Sequence, residues 1–101
     1  MSGSLTVRTQ VTLEAIDACD RLAPKLLELI VQHEHAASIA RPDWCGPHRD
    51  TFEERFASVQ RGLAEGQRWV LQIRHEAVAR LAMLRLEAAE EAAFLRTTGP
   101  R

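Results

Sequence analysis

Hydrophobic and polar residues alternate from Leu5 to Val11. Leu5, Val7, Thr9 and Val11 fall on one side, and Thr6, Arg8 and Gln10 on the other. A period of two predicts a half-buried strand over 5–11. Thr12 then offers an N-cap oxygen, and Glu14 sets an acid in the first turn, where the helix dipole favours it. Beyond it Leu13, Ile16, Cys19, Leu22 or Ala23, Leu26, Leu27 and Ile30 recur at three-to-four spacing, predicting an amphipathic helix to about Ser38. Pro24 has no amide for the carbonyl of residue 20, and its ring crowds that carbonyl. A kink, or two helices meeting near Leu22, is expected there.

Arg41 to His48 contains Pro42, Gly46 and Pro47 and reads as a loop. Asp50 and Glu53 form a capping-box signature, while Phe52, Phe56, Val59 and Leu63 mark one helical face. This predicts a second helix over 51–65, with Gly66 at its C-cap. Two readings remain open beyond Gly66. Trp69, Leu71 and Ile73 alternate with polar residues like a strand, His75-Glu76 suits a turn, and 77–86 suits a return strand. The same text is rich in Ala, Leu, Met, Arg and Glu, and 76–96 also reads as one helix with Val78, Leu81, Leu84, Ala88, Ala92 and Leu95 buried.

At 101 residues the chain has the length of one domain, 1–101, with flexible ends expected at 1–4 and 97–101. Apolar residues at 46% and charged residues at 27% exclude a disordered tail. A net charge of -1 lacks the basic excess of a general nucleic-acid binder. No apolar run approaches the ~20 residues of a membrane span, and no secretory h-region follows Met1. The expectation is a soluble, cytoplasmic protein. Cys19 and Cys45 are too few for a disulfide framework and read as free thiols.

Leu5-Thr6-Val7-Arg8 with Thr12-Leu13-Glu14-Ala15-Ile16-Asp17 resembles the opening strand and helix cap of GNAT-family acetyltransferases. Residues 62–71 resemble that family's second helix running into its second strand, and 77–86 resemble its third strand. The resemblance covers about residues 5–87 and implies an α+β class: the strand–helix–helix–strand–strand half of a GNAT-like fold. Such enzymes carry an acetyl-CoA signature in which backbone amides at a helix N-terminus receive the pyrophosphate. Only Arg96-Thr97-Thr98-Gly99-Pro100-Arg101 resembles it, and Pro100 lacks an amide. The implied protein is a half-domain, truncated product or non-catalytic relative without a cofactor. The alternative is an all-α helical bundle. Ile16-Asp17-Ala18-Cys19-Asp20, Leu26-Leu27 and Arg49-Asp50 resemble the small helical chorismate mutases, which hold a dicarboxylate with arginines and a lysine.

Chemistry concentrates in one loop, where Trp44, Cys45, His48 and Arg49 are the candidate small-molecule ligands. His33, His35, Cys45 and His48 are all zinc-ligand types. His33 and His35, two apart on a helix, point to different faces, so no metal site is expected. No catalytic residue is assigned; Cys45 and His48 lack an identifiable third partner. The main functional expectation is self-association or binding of a protein partner. Trp69, Leu71, Ile73, Leu81 and Met83 are the candidate interface, because a chain this small leaves apolar surface uncovered. The alternative is a helical enzyme or ligand-binding protein using the 41–49 loop.

Overall fold

The structure, a computed structural model, describes residues 2–98. Two helices, α1 (Ser2–Ala40) and α2 (Gly46–Thr98), are joined by a 3-10 turn, Arg41–Asp43, and the extended residues Trp44 and Cys45. No strand occurs among the described residues. Of the ends expected to be flexible, 2–4 and 97–98 belong to the helices, while Met1 and 99–101 lie outside the described residues.

Most buried and half-buried positions follow a seven-residue repeat. On α1 they are Leu5, Thr9, Thr12, Ile16, Cys19, Ala23, Leu26, Ile30, Ala37 and Ala40, with only His33 exposed in the series. On α2 the series is Glu53, Phe56, Gln60, Leu63, Gln67, Val70, Arg74, Ala77, Leu81, Leu84 and Glu91, with Ala88 exposed. Alternating steps of three and four are the mark of a coiled-coil seam. Small and polar residues occupy much of it. No large side chain is fully buried, and Leu84, 2% exposed, comes closest to a conventional core residue.

Two compact units result, each pairing a length of α1 with a length of α2. Unit 1 joins 1–20 to 72–101, and its buried residues are Leu5, Thr12, Cys19, Leu81 and Leu84. Its helices run antiparallel: Arg8 Nη2 lies 3.5 Å from Glu87 Oε2, and Arg74 Nε donates to Asp20 Oδ1 at 2.6 Å. The Thr12 hydroxyl donates to the Arg8 carbonyl at 2.7 Å, so its buried oxygen is satisfied within its own helix. Unit 2, residues 21–71, is the helix–turn–helix around the loop, with Ala37 and Val70 buried. There Gln60 Nε2 donates to the Ile30 carbonyl at 3.3 Å.

These elements overturn the GNAT reading. Residues 5–11 are helical: Leu5, Thr9 and Thr12 turn inward at steps of four and three, while Val7 and Val11 are exposed. The β-branched alternation of that stretch yields to the pairing of Leu5 and Thr12 against α2, as context routinely overrides strand propensity. Thr12 is consequently an interior residue of α1, not a cap. Pro24 lies inside α1 without ending it. Gly66 caps nothing, because α2 runs through it, and 69–86 form neither strand nor hairpin. Asp50 and Glu53 lie within α2, where Glu53 turns to Arg41 instead of capping. The all-α alternative and the helical reading of 76–96 describe the chain instead.

Candidate functional site

The loop is set by Gly46, whose φ of 67° is left-handed and free of strain only in glycine. Pro47 follows, in a first-turn position where its missing amide costs no hydrogen bond. Trp44 is extended, and its amide donates to the Arg41 carbonyl at 3.2 Å, closing the 3-10 turn. This aims the indole at the first turns of α2. Trp44 and Phe52 meet edge to face with centroids 4.3 Å apart, and Phe52 stacks on Phe56 at 5.9 Å. Arg41 lies over the opposite part of this cluster, with Cζ 5.0 Å from the Phe56 centroid. Its guanidinium grips Glu53, and that charge-assisted hydrogen bonding holds the Glu53 carboxyl below the ordinary glutamate range and raises Arg41.

An open concavity of about 790 Å³ borders the cluster within unit 2. Trp44, Phe52, Phe56 and Val59 supply its apolar lining; His33, Asp43, Cys45, His48, Thr51 and Arg55 supply polar groups. Of the loop residues singled out by sequence, Trp44, Cys45 and His48 come together here. Arg49 does not line it, and its Nε lies 4.0 Å from Glu53 Oε1. Arg55 was not among the sequence candidates, although its spacing of three and seven from Phe52 and His48 places it on their face once the helix is known. Cys45 and His48 both line the concavity, and among the described residues no hydrogen bond joins them. Among the described residues no group of three His, Cys, Asp or Glu side chains is placed to hold a metal ion. Among the described residues Arg55 is the one arginine or lysine lining the concavity, which therefore does not gather the arginines and lysine that the chorismate-mutase resemblance implied.

Apolar surface extends well beyond this end. Of the candidate interface residues, Trp69 is 68% exposed and Met83 58%, with Leu71 and Ile73 about half exposed, whereas Leu81 is buried inside unit 1. A second series at steps of three and four runs along α1 beside the buried one: Val11, Ala15, Ala18, Leu22, Leu29, Ala36 and Ile39, interrupted by Lys25 and Gln32. All but Ala15 are exposed. On α2 a matching series runs through Phe52, Arg55, Val59, Gly62, Gly66 and Trp69. Among the described residues no helix is long and apolar enough to cross a membrane. Comparison with protein-family models, curated proteins and solved structures finds no match.

Proposed function

We propose that this chain acts by self-association, each copy contributing two helices to a helical bundle, and that it is an assembly or scaffolding element. The supporting observation is the exposed, largely apolar second series along α1 from Val11 to Ile39, together with exposed Val59 and Trp69 on α2. A helix in a lone pair needs one apolar seam, whereas a helix in a bundle needs seams toward two neighbours. Sedimentation equilibrium from low to high micromolar concentration tests this. Twice the 11.3 kDa chain mass, or a higher multiple, is expected. A monomer that unfolds cooperatively at high micromolar concentration overturns the proposal.

A second reading rests on the concavity beside Trp44. Its volume lies within the ~300–1,000 Å³ typical of small-molecule sites. Arg55 and Asp43 both lie on its wall, and among the described residues Arg55 makes no ion pair, so an apolar molecule with one anionic head reaching Arg55 suits it. Calorimetric titration with decanoate and with decanol separates the two contributions. Saturable binding of decanoate alone, abolished by Arg55→Gln, supports this reading; equal or absent heats reject it.

A further inference from the structure

We propose that His33 reads the charge of the molecule held in the concavity beside Trp44. Protonated, it joins Arg55 as a second cation on an anionic head, so anionic amphiphiles bind more tightly in mild acid. The inference rests on the small-molecule reading of that concavity and names the residue that sets its pH dependence.

His33 stands where the seven-residue series of α1 calls for an inward side chain. Ile30 and Ala37, its neighbours in the series, are half-buried and buried, yet His33 is exposed. The concavity opens in front of it, and among the described residues His33 is the one side chain of α1 on its wall. Register brings Arg55 close. The helices of unit 2 run antiparallel, since Gln60 reaches the Ile30 carbonyl while Glu53 reaches Arg41. Three residues beyond Ile30 on α1 is therefore level with Ala57 on α2, two residues from Arg55. His48 lies seven residues from Arg55, two turns away, toward the loop that carries Asp43.

The charges on the wall come from every element that borders it. At neutral pH, Arg55 of α2 is set against Asp43 of the 3-10 turn, and the two cancel. Imidazoles change charge between about pH 5 and 8, so acid adds His33 and His48 to the cationic side. On α1 the residues one turn either side of His33, Leu29, Ile30, Ala36 and Ala37, are uncharged. Glu34 acts on Arg41, and Glu53 is held by Arg41. A second positive charge beside Arg55 is unfavourable in the empty concavity and favourable once an anion lies between the two. Binding of the anion and uptake of the proton are therefore coupled, each strengthening the other. The tail of the ligand meets Trp44, Phe52, Phe56 and Val59 in either state.

Decyl sulfate below its micellar concentration is the probe, because its head stays anionic throughout and only the protein titrates. Calorimetric titration at low salt should show its affinity rising about threefold or more from about pH 8 to about pH 5.5. Decanol should show no such rise. His33→Gln, at an exposed position, should keep its circular dichroism and the pH 8 affinity but lose the rise, whereas His48→Gln should retain most of it. A rise that survives in His33→Gln, or a His33→Gln loss of equal size at both pH values, overturns this inference. So does a parent affinity that does not change with pH. If the parent still binds decyl sulfate and Arg55→Gln abolishes it, the concavity reading stands without this refinement. No binding at either pH overturns both.

Discussion

Arg41 and Glu53, twelve residues apart, are joined by two hydrogen bonds across the loop: Nε donates to Oε1 at 2.7 Å and Nη2 to Oε2 at 3.2 Å. The fork of a guanidinium matches a carboxylate in this way, and the pair locks the end of α1 to the start of α2. Because the folded-state pKa of Glu53 is lowered, its contribution to stability is fully present above the unfolded glutamate pKa of about 4.3. It is lost as pH falls through the lower folded value. Glu53→Gln should therefore lower the urea midpoint at pH 7 and narrow its gap to the parent chain in strong acid. Circular dichroism at 222 nm across a pH series reads this directly. Arg41 has the opposite sign, with stability lost only as pH rises through its raised value, beyond the working range.

Leu84 and Met83 are neighbours with opposite surroundings, 2% and 58% exposed. Leu84→Ala should cost about 2–5 kcal/mol, by lost transfer energy and an unfilled cavity. Met83→Ala should change the stability of the isolated chain by no more than about 0.5 kcal/mol. Denaturant melts at low protein concentration, where assembly does not contribute, separate the two.

Pro24 sits in the interior of α1 and is itself exposed. Alanine there restores an amide to the carbonyl of Asp20 and removes the ring clash. Thermal melts of Pro24→Ala should show a gain of as much as about 3 kcal/mol.

The two thiols should react at very different rates, since Cys19 is buried in unit 1 and Cys45 is exposed in the loop. A thiol reagent should label one equivalent of Cys45 at once under native conditions. Cys19 should follow only on unfolding. Equal rates for both would mean that the seam around Cys19 opens readily.

Both ends of the legibility scale appear in this chain. Helix 51–65 was readable because Phe52, Phe56, Val59 and Leu63 stand out against charged neighbours. The loop was readable because proline and glycine punctuate backbone geometry directly. Residues 5–11 misled because Val7 and Val11, β-branched and apolar, outnumber the inward-facing Leu5. The seven-residue repeat was hidden in α2 by its own composition. Gln60, Gln67 and Arg74 occupy seam positions where an apolar residue would have announced the period. Gly66 read as a stop because propensity is local, while continuation of α2 is decided by what both sides of the helix bury. Three residues of the aromatic concavity were visible as a loop cluster; Arg55 became visible only with the helix in place.

A pair of helices with a seven-residue repeat has a translational degeneracy: sliding one past the other by two turns restores a similar apolar pattern. The polar seam residues remove it. A slip of seven residues would take Gln60 away from the Ile30 carbonyl and Glu53 away from Arg41 in unit 2. In unit 1 the same slip would part Arg74 from Asp20 and Arg8 from Glu87. One cost is visible, because Gln60 Oε1 is buried without a partner. A polar seam residue that weakens a coiled coil while fixing its register is a known exchange. Gln60→Leu should accordingly give a chain that melts higher but samples several helix offsets, broadening its amide spectrum.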